Sequence, residues 1–184
     1  MIEQEIKFML TYGQYRQMRE QFKREYRDRK ELFQINYYYD TPGWQIFTAG
    51  NTLRIRRKAG AYRLEYKHHK QIDGDIRTCE ELTRRMSEAP YEMTADQLRK
   101  MRLPIDFDVC HVGCLTTGRT DFYTDGCVVS LDENHYLGVV DYELEIEGSR
   151  RAISAVISRC GIVGEANRHG KYSRFVTAAK DRTI

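Results

Sequence analysis

The segment Glu3-Gln4-Glu5-Ile6-Lys7, near the start of the chain, places charged residues at alternate positions, which is the two-residue period of a β-strand. The predicted strand spans residues 2–9, with Glu3, Glu5 and Lys7 on one face and apolar residues on the other. Taken alone, such a segment is typical of the solvent-facing side of an ordinary sheet. Its significance depends on whether other strands repeat the pattern.

Three further segments repeat it, each with charged residues on one face and apolar residues on the other. They are residues 52–58 with Arg54 and Arg56, residues 62–69 with Arg63, Glu65 and Lys67, and residues 138–147 with Glu143 and Glu145. The same combination on several strands favours a shared charged surface over a set of unrelated solvated faces.

Periodicity and turn residues predict the remaining elements. Eight strands are expected at 2–9, 31–39, 52–58, 62–69, 75–82, 112–122, 127–134 and 138–147. Helices are expected at 11–29, 93–102, 149–161 and 171–180, with an irregular link at 106–110. Turns are expected at Asp40-Thr41-Pro42-Gly43, Asp73-Gly74 and Asp125-Gly126.

Because consecutive strands are joined mostly by short turns, the sheet should be largely antiparallel, and closure would remove its exposed edges. The predicted fold class is α+β, mainly β: an eight-stranded antiparallel closed β-barrel with helices packed outside. Residues 1–184 are expected to form one domain. Helices that cover the outside leave the charged faces inside, where unpaired charge costs several kcal/mol per group. The interior should therefore hold water, ions or a charged ligand.

The inward charges fall into two chemical sets. Guanidinium and ammonium groups suit phosphate, and the predicted set is Lys7, Arg54, Arg56, Lys67 and Arg119. Carboxylates suit hard ions such as Mg²⁺ or Mn²⁺, and that set is Glu3, Glu5, Glu143 and Glu145. Either set alone would repel itself, whereas together they suit a metal-bound triphosphate.

Each pair of charges also has a simpler interpretation. Arg54-x-Arg56 is compatible with a nucleic-acid patch, and Glu143-x-Glu145 with solvated surface. Residues 1–70 hold 15 Lys and Arg against 8 Asp and Glu, which favours a polyanionic ligand. Cations that point inward would be out of reach of a duplex, so nucleic acid is not the expected partner.

Composition restricts the class of protein further. The five cysteines form an odd set without C-x-x-C spacing, so reduced thiols are expected, and a soft metal site at Cys110, His111 and Cys114 is disfavoured. The sequence contains no apolar run of about 18 residues, and its first residues lack the pattern of a signal peptide. The protein is expected in the cytoplasm, without a membrane partner.

Six motifs, in order along nearly the whole chain, resemble those of one family. They are Glu-Gln-Glu-Ile-Lys at 3–7, Asn36-Tyr-Tyr-Tyr-Asp40-Thr-Pro42, Leu53-Arg-Ile-Arg56, Leu64-Glu-Tyr-Lys67, Asp141-Tyr-Glu-Leu-Glu145 and Lys171-Tyr-Ser-Arg174. On these residues the chain resembles the CYTH superfamily, the triphosphate tunnel metalloenzymes. Within it, the chain is similar to small bacterial members named as adenylate cyclases, many of which resemble inorganic triphosphatases or thiamine triphosphatases.

The resemblance implies an eight-stranded tunnel and assigns roles within it. The implied phosphate ligands are Lys7, Arg54, Arg56, Lys67, Arg119 and Lys171, with Arg174 as a further candidate. The implied metal ligands for Mg²⁺ or Mn²⁺ are Glu5, Glu143 and Glu145, supported by Glu3 and Asp132. A one-residue bulge would exchange the roles of Arg56 and Arg57, although the alternation favours Arg56.

The expected activity is metal-dependent hydrolysis of a small triphosphate, either tripolyphosphate or an organic one such as thiamine triphosphate or a nucleotide. The catalytic residues would be Glu5, Lys7, Arg54, Arg56, Lys67 and Glu81, with Glu5 or Glu81 orienting the attacking water. The alternatives are cyclisation of ATP to cyclic AMP and a noncatalytic module that binds polyphosphate or nucleotide. The oligomeric state stays open between a monomer and a homodimer.

Overall fold

The computed structural model describes residues 2–73, 76–124, 126–162, 166–167 and 169–182. The side chains of residues 2, 3, 69–73 and 76–78 lie outside the described part. Gly74 and Asp125 also lie outside it, and with them the two turns predicted at these residues.

The described residues form nine strands and five helices. The strands are β1 (Ile2–Leu10), β2 (Arg29–Asp40), β3 (Asn51–Lys58), β4 (Ala61–Asp73), β5 (Ile76–Met86), β6 (Glu92–Met93), β7 (Val109–Thr124), β8 (Cys127–Tyr136) and β9 (Val139–Gly148). The helices are α1 (Tyr12–Glu25), α2 (Gln45–Thr48), α3 (Ala95–Lys100), α4 (Arg150–Cys160) and α5 (Lys171–Lys180).

The strands belong to one sheet, in the order β2-β3-β4-β5-β1-β9-β8-β7-β6, and all its pairings are antiparallel. Strand β2, at one end of this order, also pairs with β7 along its whole length. The predicted antiparallel sheet is therefore confirmed, and each of its eight long strands pairs with at least two others.

The structure corrects several predicted boundaries. Helix α1 ends at Glu25 rather than near residue 29, because Tyr26 adopts an extended conformation and β2 begins at Arg29. The irregular link predicted at 106–110 gives way to β7 from Val109 onward. Helix α2 and the two-residue strand β6 were not predicted, since both are too short to show a period.

Two apolar clusters cover the outside of the sheet. Helices α1 and α4 contribute Phe22, Ile153 and Val156 to the first, which also contains the apolar residues of β1, β8 and β9. Helix α3 contributes Leu98 to the second, over β3 and β4. The alternation of these strands therefore buries the apolar side chains beneath helices and leaves the charged side chains on the opposite face, as predicted.

Helix α5 packs on the charged face, so the prediction that all helices lie outside is wrong for this one. Its buried residues Tyr172, Phe175 and Val176 contact Tyr38, Leu115 and Tyr136. Tyr38 lies two residues from Asn36, which accepts a hydrogen bond from Arg56 on the charged face. The amphipathic period of α5 shows that it has an apolar side but not which face of the sheet that side covers.

Asp40, at the end of β2, connects α5 to the sheet. Its carboxylate accepts hydrogen bonds from the backbone of Thr41, Ile46 and Phe47, which fixes the turn and the start of α2. It also accepts a hydrogen bond of 2.6 Å from the hydroxyl of Tyr172. Because Asp40 is fully buried, these four donors supply the partners that its charge requires.

Gly113 tests how closely α5 packs. A Cβ atom added there would lie 2.6 Å from the ring of Phe175, and its φ of +141° disfavours any other residue. We expect Gly113→Ala to lower the free energy of unfolding by about 1–3 kcal/mol, measured by urea denaturation. Gly118→Ala on the same strand is the control, since its Cβ meets nothing within 4 Å. Equal losses in both variants would contradict this packing.

Candidate active site

A cavity of about 360 Å³ lies on the charged face, beside the first turn of α5. Six cations line it, contributed by four strands and by α5: Lys7, Arg54, Arg56, Lys67, Arg119 and Lys171. Carboxylates also line it, namely Glu5, Glu81, Glu145 and Glu147. The structure therefore brings together, around one space, all six cations that the family resemblance assigned to phosphate. The further candidate Arg174 is not part of this lining.

On β3 and β4, Glu65 holds the two arginines of the Leu53-Arg-Ile-Arg56 motif. Arg54 donates to the Glu65 carboxylate at 2.8 Å, and Arg56 lies 3.5 Å from the same oxygen. Both strands pair through this region without a register shift, so the bulge that would exchange Arg56 for Arg57 is absent. Arg57 is exposed and lies over the ring of Tyr62.

Arg56 is the least neutralised of these cations. Burial, together with the repulsion of Arg54 and Arg119, outweighs the attraction of Glu65 and lowers the pKa of Arg56 to about 10. By contrast, the attraction of Glu65 outweighs burial at Arg54 and raises its pKa. An anion in the cavity would supply the negative charge that Arg56 lacks.

On β1, Lys7 lies between two carboxylates. Its ammonium donates to Glu5 at 2.6 Å and lies 3.4 Å from Glu145. Burial would lower the pKa of Lys7, but the attraction of Glu145 and Glu5 outweighs it and raises the pKa. In the same way, on β4, Lys67 lies 2.8 Å from Glu81.

Next to the cavity, three buried carboxylates converge from β8 and β9. Oxygen atoms of Asp132, Glu143 and Glu145 all lie within 4.8 Å of one another. Lys171 of α5 contacts all three, and Arg119 forms a bidentate pair with Asp132 at 2.7 Å. Although burial raises the pKa of Asp132, the charges of Arg119 and Lys171 outweigh it and keep that pKa low.

The donors of this cluster fit a hard divalent ion, because they are three carboxylate oxygen ligands that lie within 4.8 Å of one another. Glu5, also predicted as a metal ligand, lies outside the set of three and pairs with Lys7 instead. The side chain of Glu3 lies outside the described residues. Among the described residues, Cys110, His111 and Cys114 do not form such a group.

Arg174 lies away from the lining of the cavity. Its guanidinium donates to Asp141 and to Glu143, each at 2.8 Å, so Arg174 offsets the negative charge of these two carboxylates without lining the cavity. The sequence did not single out Asp141 or Asn36 as partners of arginines, although both lie in the quoted motifs. Asp141 lies two residues before Glu143, and Asn36 two residues before Tyr38. This spacing puts each on the same face of its strand as the later residue, and it was the signal available in the sequence.

Comparison with known proteins gives one family. The CYTH domain model matches residues 1–157. A relative in Bacillus subtilis, named "Putative triphosphatase YjbK", is 30% identical over 152 residues, which cover 80% of this chain and 78% of the relative. None of the described helices has the length and hydropathy needed to cross a membrane.

Solved structures share the fold. The Hippeastrum protein HpAC1, described with a dominant triphosphatase activity, superposes with a TM-score of 0.75 at 21% identity, covering 95% of each chain. A Bacillus halodurans protein named "putative adenylate cyclase" gives a TM-score of 0.65 at 23% identity, covering 93% of this chain and 95% of that one. At such identities the likeness concerns the fold alone.

The Glu65 pair predicts a pH-dependent stability. Burial opposes ionisation of Glu65, but Arg54 and Arg56 prevail and lower its pKa from the usual 4.5 to about 2. A depressed carboxyl pKa stabilises the fold above pH 4.5, and this contribution is lost as the pH falls toward 2. We expect Glu65→Gln to cost about 3 kcal/mol at pH 7, measured by urea unfolding.

The difference between Glu65→Gln and the unaltered protein should shrink steadily between pH 4.5 and pH 2. Glu31→Gln serves as the control, because Glu31 is exposed and its contacts with Arg19 and Lys23 are 3.4 and 3.8 Å long. A cost for Glu65→Gln that stays constant down to pH 2 would contradict the assigned pair.

Proposed function

Since the chain belongs to the CYTH domain family, we propose that it is a metal-dependent triphosphatase acting on tripolyphosphate or a small organic triphosphate. One observation carries the proposal: six cations from separate elements line a single cavity that adjoins a buried cluster of three carboxylates. Such an arrangement suits an anion with several negative charges and a metal counterion.

We further propose that the eight long strands close into a tunnel around this cavity. The pairing of β2 with β7, over residues 29–40 and 110–122, supports closure. Inside a tunnel, the cations would be shielded from water, which strengthens their attraction for phosphate. Residues 1–184 would form this single domain, working in the cytoplasm as a monomer or a homodimer.

In this proposal, Asp132, Glu143 and Glu145 hold Mg²⁺ or Mn²⁺. The ion, when bound, would neutralise phosphate charge and assist its transfer to water. Lys171 contacts the same three carboxylates, so it would offset part of their negative charge when no metal ion is bound. Glu5 would support the ion from the side of Lys7.

The cations of the cavity would bind and orient the triphosphate. Arg54 is fixed by Glu65, which leaves its guanidinium in one orientation and reduces the entropy lost on binding. Arg56 carries the least compensated charge and would gain most from a phosphoryl group. Lys7, Lys67 and Arg119 would offset the charge that develops on the transferring group.

The attacking water needs an acceptor for its proton, and two lining carboxylates are suited to that role. Glu5 and Glu81 both line the cavity, beside Lys7 and Lys67 respectively. Either would orient a water molecule for in-line attack on the terminal phosphorus. Replacing Glu81 with Gln keeps its shape and removes its basicity, so loss of kcat without a change in KM would identify it.

Substrate and metal are tested together. The protein is incubated with tripolyphosphate, thiamine triphosphate and ATP, each with Mg²⁺, with Mn²⁺ or with EDTA, and phosphate release is measured. We expect release from at least one substrate with a metal ion and none with EDTA. Phosphate release that persists in EDTA would contradict the metal dependence. Formation of cyclic AMP from ATP would establish the adenylate cyclase activity instead.

Glu143→Gln is expected to reduce kcat by about 10²-fold or more, the scale reported for lost electrostatic stabilisation. Glu133→Gln is the matched control, because Glu133 lies on the neighbouring strand β8, outside the carboxylate cluster, and its side chain is 38% exposed. Full activity of Glu143→Gln would contradict its assignment to the metal site.

If the unaltered protein releases phosphate from none of the three substrates, the triphosphatase proposal is wrong and a noncatalytic binding module is the alternative.

The role of the cations is tested on one strand. Arg56→Met should raise KM and lower kcat/KM for the triphosphate by about 10²-fold, since a charge-assisted contact is worth about 1.5–3 kcal/mol. Arg57→Met is the matched control, because Arg57 is adjacent and exposed on the opposite face. An equal or larger effect at Arg57 would reverse the assignment.

A further inference from the structure

A second cavity, of about 530 Å³, opens on the surface between the end of β5 and the end of α3. Five residues line it, and four of them are cations: Arg84, Arg85, Met101, Lys100 and Arg102. No carboxylate belongs to this lining. We call this feature the basic groove.

Within the described ranges, the cations of the basic groove have no acidic partner. In the described part of the chain, none of the four forms a salt bridge. The neighbouring Arg99, by contrast, pairs with Asp96 on α3. Four cations around one space repel each other, and only solvent screening or a bound anion can offset that repulsion.

One of the four, Arg84, is held in place by hydrogen bonds to the backbone. It donates from Nε to the carbonyl of Met101 and from Nη1 to the carbonyl of Thr83, both at 2.8 Å. A guanidinium oriented by its own backbone contacts retains free N–H donors for an external acceptor.

A row of arginines leads from the first cavity to the basic groove. Arg56 lines the first cavity, Arg63 is its cross-strand partner on β4, and Arg85 is the partner of Arg63 on β5. Like charges directly opposite each other destabilise a sheet. Three arginines in a row therefore lower the stability of the fold when nothing is bound. A bound anion beside them would offset their mutual repulsion.

We propose that the basic groove is a second anion site, outside the first cavity, for small phosphate-bearing molecules with at least two phosphates. Four cations match the charge of a pyrophosphate or tripolyphosphate better than that of a single phosphate. The row through Arg63 would guide such an anion between the two sites. The proposal concerns binding and does not require that the protein hydrolyse its ligand.

Titration calorimetry with tripolyphosphate in EDTA separates the two sites. The unaltered protein should bind two molecules per chain, and the variant Arg54→Met/Arg56→Met should keep one. Adding Arg85→Ser and Arg102→Ser to that variant should weaken the remaining binding at least about tenfold, as expected for the loss of charge-assisted contacts. Arg84 is left unaltered because it also holds the backbone of Met101.

The matched control adds Arg24→Ser and Arg151→Ser to the Arg54→Met/Arg56→Met variant, since both arginines are exposed on helices α1 and α4. It removes the same net charge elsewhere and should leave binding unchanged. Thermal unfolding of each variant checks that it folds. Equal weakening in the control, or a single molecule bound per unaltered chain, would overturn the second site.

Orthophosphate, pyrophosphate and a single-stranded oligonucleotide are titrated in parallel. We expect affinity to rise from orthophosphate to tripolyphosphate. An oligonucleotide that binds the groove more tightly than tripolyphosphate would overturn the proposal and identify a nucleic-acid surface instead. Because no turnover is measured, these outcomes are independent of whether the first cavity proves catalytic.

Discussion

Neutralisation of buried charge is the constraint on which the rest of this structure depends. An unpaired charge in a protein interior costs several kcal/mol, yet this chain buries Glu5, Arg54, Asp132, Glu143 and Lys171 on one face of its sheet. Each has an opposite charge beside it: Glu5 has Lys7 on the same strand, and the others have partners on another strand or on α5. For these others, the separate segments must come together before the buried charges are neutralised.

The buried charges are not equally neutralised by their partners. Around Asp132 and Glu145 the cations outweigh burial and hold both carboxyl pKa values low. Around Arg56 the balance is reversed, and its pKa falls. The carboxylates of the charged face are thus compensated by cations, whereas the positive charge of Arg56 is not, and a bound polyanion would supply the missing negative charge.

Helix α5 links the stability of the fold to this face. Its apolar side fills the space beside Tyr38, Leu115 and Tyr136, while its first residue, Lys171, enters the carboxylate cluster. Asp40 couples the two, because it anchors the turn after β2 and accepts the hydroxyl of Tyr172. Packing and charge neutralisation at the site are consequently properties of the same helix.

The sequence by itself determined the strands and the charged face, because side chains alternate strictly along a strand and the period needs no knowledge of neighbours. It also grouped five of the six cations of the cavity, since residues that share a face on adjacent strands must lie together. The sixth, Lys171, lies on a helix and was assigned to the site only through the family resemblance. Only the tertiary structure decided which charges meet. Arg174 pairs with Asp141 and Glu143, Asp40 receives Tyr172, and Lys171 reaches Asp132, all across long stretches of chain. The position of α5 on the charged face was decided there too, because an amphipathic helix specifies an apolar side but not the surface that it covers.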